Sequence, residues 1–195
     1  SISAWVYIED ASGGDNGPIL SKAEVIGGTS GETEYIFKHQ SGRLRMFLYS
    51  GSGTGNSVNV LANSAGITNA TWHNVVMTYD GSNSGAGVTL YVDGVQQASV
   101  VSNSGTYSGM TNTSIPVLIG RTSNDPPSDN QAYEDKIADT CVFNKELTQA
   151  EVTEIYNDNA VKNMYRFSDY DSIISWWKMG CLLYTSDAAD EVDRV

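Results

Sequence analysis

The residues best suited to bind a ligand lie in segment 43–49, where large apolar side chains alternate with basic and aromatic ones. Because alternate side chains of a β-strand point to opposite faces, one face of this segment would be buried and the other polar and aromatic. Sugar-binding surfaces combine aromatic rings with groups that bind hydroxyls. We therefore predict a ligand surface whose candidate residues, including two tyrosines from predicted loops, are Arg43, Arg45, Phe47, Tyr49, Tyr107 and Tyr133.

Oxygen-bearing side chains are concentrated in two predicted loops, residues 9–16 and 125–134. Calcium takes about six to eight oxygen ligands from carboxylates, amides and backbone carbonyls, and such loops supply them. Asp, Asn and Ser are also turn formers, so a second interpretation is that they only shape the loops. Asp80 and Asp93, each followed by Gly, fit a turn role better. The candidate calcium ligands are Asp10, Asp15, Asp125, Asp129, Asn130 and Glu134.

Groups that could perform catalysis do not form a recognisable arrangement. Glycoside hydrolysis needs two carboxyl groups on either side of the scissile bond. The nearest acidic strand segment places Glu134 and Asp135 on opposite faces. His39 and His73 lie in separate predicted strands without clustered partners, and Cys141 fits a small buried side chain. We therefore predict that the chain is not an enzyme.

The composition excludes several classes of protein. Of the 195 residues, 40% are hydrophobic and only 17% are charged, and 19 are glycines. These values are typical of a folded domain with many turns, not of a disordered chain or a helical bundle. The net charge of -12 is opposite in sign to that of a nucleic-acid-binding protein. No apolar run approaches the roughly 20 residues that a membrane span requires.

Alternation with a period of two dominates the chain and predicts an all-β protein. Asp93-Gly94 predicts a hairpin turn, and a capping box at Thr148 and Glu151 predicts one helix that ends near Asn157. We expect an antiparallel, two-sheet, jelly-roll-like sandwich with one short helix near residues 148–157. The predicted strands are 2–8, 19–22, 34–39, 43–50, 57–62, 72–79, 88–92, 95–101, 115–119, 136–143 and 173–178.

Short motifs follow one another in a specific order along residues 1–157. They lie at 2–6, 19–22, 72–75, 78–81, 90–94, 118–120 and 136–151. This order resembles the laminin-G-like branch of the concanavalin A-like lectin/glucanase superfamily. The resemblance implies a sandwich that binds glycans or proteins, often with calcium at one rim, outside the cell or on a virion. Many members carry an Asp where this chain has Ala138, so the role of that Asp is not carried over.

The two ends of the chain depart from the rest. Residues 173–180 resemble a motif that follows such domains in marine virus and phage proteins, and residues 181–191 resemble a translated sequencing adapter. We therefore expect a laminin-G-like sandwich over residues 1–160 that lacks the family's usual first strand. Residues 161–180 would form a terminal strand or the start of a following segment, and residues 181–195 an artefactual tail.

These observations predict a non-catalytic recognition module that binds glycans or cell-surface or virion proteins. The leading hypothesis is an adhesion or decoration domain of a virion or tail-associated protein. Two alternatives stay open. One is an accessory carbohydrate-binding domain of a secreted bacterial enzyme, and the other is a structural virion protein that binds only its neighbours.

Overall fold

The computed structural model describes residues 1–10, 17–26, 29–51, 55–122, 132–133 and 135–179. In this part the chain forms twelve strands and one α-helix. The strands are β1 (Ile2–Tyr7), β2 (Pro18–Ile26), β3 (Thr29–Gln40), β4 (Arg43–Tyr49), β5 (Ser57–Ala62), β6 (Trp72–Tyr79), β7 (Val88–Val92), β8 (Val95–Gln97), β9 (Ser99–Ser104), β10 (Leu118–Ile119), β11 (Lys136–Phe143) and β12 (Ile173–Trp177), and the helix is α1 (Gln149–Tyr156).

The strands form two antiparallel sheets of six, which confirms the predicted sandwich. Sheet A has the order β12-β11-β1-β6-β7-β8, and sheet B has the order β10-β2-β3-β4-β5-β9. The main core lies between the sheets, and each central strand contributes its alternate apolar residues, as β4 does with Leu44, Met46 and Leu48. No described helix is long and apolar enough to cross a membrane.

A second layer of apolar residues covers the outward face of sheet A. Helix α1 begins with the predicted capping box, in which Thr148 and Glu151 cap each other, and ends at Asn157 in the left-handed conformation. Trp5 points away from the main core yet is buried, because helix α1 covers this face of sheet A. The residues of this second core are Val76, Tyr91, Cys141, Phe143, Leu147, Val152, Ile155, Met164 and Phe167.

One predicted strand is divided in the structure. Residues 95–101 alternate as a single strand would, but β8 ends at Gln97 in sheet A and β9 begins at Ser99 in sheet B. The chain turns at Ala98, whose carbonyl accepts a hydrogen bond from the Asn63 N–H at 2.8 Å. Alternation reports only which way a side chain points, so it does not reveal that a chain changes sheets. Strand β10 is also shorter than predicted, and β2 and β3 are longer.

Candidate functional site

The outward face of β4 carries the predicted ligand surface. Leu44, Met46 and Leu48 point into the main core, so the alternate residues share the opposite face, as predicted. We call these four residues the β4 strip: Arg43, Arg45, Phe47 and Tyr49. Strand β4 lies between β3 and β5 in sheet B, so polar groups from two neighbouring strands flank the strip.

Stacking along the strand orients the aromatic rings of the strip. The Arg45 guanidinium lies 4.3 Å from the centre of the Phe47 ring, and Phe47 stacks on Tyr49 with centroids 5.9 Å apart. Arg45 and Tyr49 flank Phe47, so they cover both faces of its ring and leave its edge toward solvent. Tyr49 is only 6% exposed, and burial raises the pKa of its hydroxyl to about 12. Tyr49 is therefore the buried end of the strip, and its ring supports Phe47 by stacking.

A hydrogen-bond network crosses sheet B at Arg45. Its Nε donates to Asn59 Oδ1 at 2.8 Å, and its Nη1 donates to Gln40 Oε1 at 2.6 Å. Asn59 Nδ2 donates in turn to the Ser102 hydroxyl at 2.9 Å. Asn59 and Gln40 are neutral partners that orient the Arg45 guanidinium. The result is a preorganised row of donors and acceptors on four adjacent strands.

The two outward faces of the sandwich differ in character. That of sheet A is apolar and is covered by α1 and the segment that follows it. That of sheet B carries arginine, glutamine, asparagine and serine side chains around Phe47, and no described helix or strand packs over it. The outward face of sheet B is therefore polar and aromatic.

Tyr107 and Tyr133 lie in loops, as predicted, but the structure does not bring them to the β4 strip. Both rings pack against the main core, and both hydroxyl oxygens are buried. Burial raises the pKa of each hydroxyl. Tyr133 meets the ring of His39 edge-on with centroids 5.3 Å apart. These two tyrosines fill the ends of the core rather than forming an open platform.

Both ring nitrogens of His73 have hydrogen-bond partners. Its Nδ1 lies 2.7 Å from Asp93 Oδ2, and its Nε2 accepts the backbone N–H of Thr68 at 3.1 Å. With Nε2 as an acceptor, Nδ1 is the ring nitrogen that donates to Asp93. Thr68 Oγ1 also lies 3.0 Å from Nε2, which gives a Thr-His-Asp series. The lone pair of Nε2 is already engaged by the backbone N–H, so this group is poorly placed to act as a general base.

Two other reactive side chains are buried. Burial lowers the pKa of His39 to about 4, with a smaller contribution from Lys38, and both ring nitrogens lack a partner. Burial raises the pKa of the Cys141 thiol to about 12. At neutral pH, His39 is therefore uncharged and Cys141 is not a thiolate, which fits the predicted structural role of Cys141.

The first predicted calcium loop begins, and the second ends, at neighbouring positions of sheet A. Strands β1 and β11 pair with Tyr7 opposite Lys136, and the backbone N–H of Glu9 donates to Asp135 Oδ1 at 3.0 Å. Asp10 is exposed at this rim. Within the described ranges, no three acidic, histidine or cysteine residues form a metal site, and Asp10 and Asp135 do not complete a calcium ligand set. The other candidates lie outside the described residues: Asp15, Asp125, Asp129, Asn130 and Glu134.

A cavity of about 480 Å³ opens between the sheets at the opposite rim. Its floor includes Ile2 and Leu48, and its mouth includes Asp80 and Lys145. Sequence analysis missed this cavity because residues from many separated segments line it. The available signal was methionine, which often lines adaptable apolar sites, because three of the five methionines contribute: Met46, Met77 and Met110.

Comparison with known proteins agrees with this architecture. A family model, Laminin_G_3, described as the concanavalin A-like lectin/glucanases superfamily, matches residues 1–153. The crystal structure of a native heptameric SAP-like pentraxin from Limulus polyphemus is similar, with a TM-score of 0.54 and 16% sequence identity. That similarity covers 80% of this chain and 68% of the pentraxin chain, and it shows a shared fold. No curated protein matches this chain in sequence.

Proposed function

Because the chain belongs to the concanavalin A-like lectin/glucanase superfamily, we propose that it is a non-catalytic module that binds glycans on the outward face of sheet B. The observation that carries the proposal is the difference between the two outward faces. One is apolar and covered, whereas the other presents the β4 strip and its polar neighbours uncovered by any described helix or strand. The half-buried part of the strip, Arg43, Arg45 and Phe47, is the part of this face that a ligand can reach.

The chemistry of this face suits a hydroxyl-rich chain. Guanidinium and amide groups of Arg45, Asn59 and Gln40 already occupy fixed positions, so they lose little freedom when they bind hydroxyls. The edge of Phe47 adds an apolar contact between them. The polar network spans four adjacent strands, which favours an extended glycan over a small molecule that needs a deep pocket.

The part of this face on β4, β5 and β9 contains no Asp or Glu. The adjacent strand β3 carries Glu32 and Glu34, and Glu34 is buried in an ion pair with Lys22. Hydrolysis needs a carboxyl group on each side of the glycosidic bond, one as acid and one as nucleophile or base. A sugar bound across β4, β5 and β9 would therefore meet no catalytic pair there. This absence supports a binding role for the face.

The place of the module in a larger assembly is proposed from sequence. The motif at 173–180 supports an adhesion or decoration domain on a virion surface, and the accessory domain of a secreted enzyme is the second candidate. Long reads of the original locus separate the two. Neighbouring capsid, portal or tail genes are expected, whereas a fused hydrolase or lyase domain would support the second candidate.

Glycan binding is tested with Arg45→Gln in the intact chain. We expect a glycan array probed with calcium present to identify a ligand, and Arg45→Gln to weaken its binding at least about tenfold, because the network across sheet B loses its centre. Arg166→Gln, the same change on the layer that covers sheet A, is the matched control and should bind normally. Absence of any bound glycan, or equal losses in both variants, would contradict the proposal.

A further inference from the structure

The segment that contains β8 and β9 has no charged residue. Residues 94–120 contain no Asp, Glu, Lys, Arg or His, in a chain whose net charge is -12. Strand β8 is the edge of sheet A and β9 the edge of sheet B, and Ala98 joins them. The uncharged segment therefore includes two sheet edges on one side of the molecule.

Strand β9 lacks the features that usually protect an edge strand. Natural edges carry Lys, Pro or a bulge that prevents another strand from pairing with them. Strand β9 has the sequence SVVSNS and pairs with β5 in an unbroken register. Val100 and Val101 are 54% and 44% exposed. This edge is thus uncharged, regular and partly apolar.

The backbone of β9 has a row of hydrogen-bonding groups directed away from sheet B. The Asn63 N–H donates to the Ala98 carbonyl, so Ala98 faces β5. Residues of an antiparallel strand alternate in the side to which their N–H and C=O point. The N–H and C=O groups of Ser99, Val101 and Asn103 therefore point outward, and they form no hydrogen bond with the described residues.

We infer that β9 pairs with β9 of a second copy of this chain, antiparallel about a two-fold axis near Val101. A strand edge is complementary to itself under such a rotation, so one surface supplies both halves of the contact. Two molecules that each carry a charge of -12 repel each other, and the repulsion is weakest where the contact surfaces carry no charge. The two sheets B then form one continuous sheet across the dimer.

The dimer is tested by sedimentation velocity of the intact chain up to about 500 µM. We expect a concentration-dependent monomer–dimer equilibrium that shifts toward the dimer as salt rises, because salt screens the repulsion between two acidic molecules. A chain that remains monomeric at all these concentrations and salt conditions overturns the inference. Glycan binding is measured separately, so failure of one proposal does not affect the other.

Glutamate substitutions locate the contact. Val101→Glu places two like charges close to the axis and should weaken the dimer at least about tenfold. Val100→Glu is a second variant on the opposite face of β9, which avoids the packing of Val101 near Gly85. Ile174→Glu is the matched control, because Ile174 is 61% exposed on β12 at the far edge of sheet A. With unchanged thermal melts, equal dimerisation in all three variants overturns the inference.

Discussion

At the residue scale, the two histidines show how differently a buried polar ring can be accommodated. His73 has a partner for each nitrogen, because Asp93 accepts from Nδ1 and the Thr68 N–H donates to Nε2. His39 has no partner for either nitrogen and is fully buried beside Tyr133. A buried polar group without a partner opposes folding. His39 is therefore a site where the fold is less stable than it could be.

The pKa of His39 predicts a pH dependence of stability. The folded pKa is about 4 and the ordinary value is 6.5, so between these values the unfolded chain binds a proton that the folded chain does not. This contribution therefore lowers the free energy of unfolding as the pH falls from 6.5 to 4, by up to about 3 kcal/mol.

The variant His39→Leu removes the titrating group. We expect it to unfold at higher urea concentration than the wild type at pH 7, and the gap between the two should widen at pH 5. Urea titrations of both proteins at both pH values measure this. A gap that stays constant between the two pH values would show that His39 does not cause the pH dependence.

At the element scale, α1 closes the second core over sheet A. Thr148 and Glu151 cap its first turn, and Lys145 joins Glu151 to Asp169 at 2.7 and 2.8 Å. These bonds attach the helix to the segment that follows it. Val152 and Ile155 then bury the apolar stripe of α1 against sheet A. The capping box is thus a local signal that positions a whole layer.

Loss of the helix cap should lower stability by a predictable amount. Thr148→Ala removes the oxygen that accepts the Glu151 N–H, and we expect the free energy of unfolding to fall by about 1 kcal/mol. Thr148→Ser keeps that oxygen and is the control. Chemical denaturation measures both variants. Indistinguishable values for Ala and Ser would mean that the cap does not stabilise α1.

The loops at the β1–β11 rim carry the calcium prediction. We expect the melting temperature of the intact chain to rise when millimolar calcium is added and to return when a chelator is added, because a ligand that binds only the folded state stabilises it. Asp10→Asn should reduce the rise, whereas Asp80→Asn, a turn residue that caps Ser82, should not. A melting temperature unchanged by calcium would refute the prediction.

At the scale of the whole molecule, the two outward faces and the β9 edge of the sandwich differ in exposure and in charge. The outward face of sheet A is buried under α1, and that of sheet B carries the β4 strip. The uncharged edge strand β9 lies in the same sheet as the strip, with β5 between them. A dimer through β9 would place two strips on one continuous face, so a long glycan could contact both copies and bind more tightly than to either alone.

Local patterns in the sequence determined much of this fold. Strands β5, β6, β7 and β11 have the predicted bounds, and the capping box specified the start of α1. The shared face of the β4 strip also followed from alternation alone. These features depend on neighbours within a few residues, because side-chain direction in a strand and capping in a helix are local properties.

Only the tertiary structure decided which surfaces are open. Tyr107 and Tyr133 fit a loop platform by sequence, yet long-range packing places both against the core. The change of sheet at Ala98 and the cavity behind Met46 and Met77 likewise depend on which distant strands pair. Burial and pairing are set by residues far apart in the chain, and a period of two contains no information about those partners.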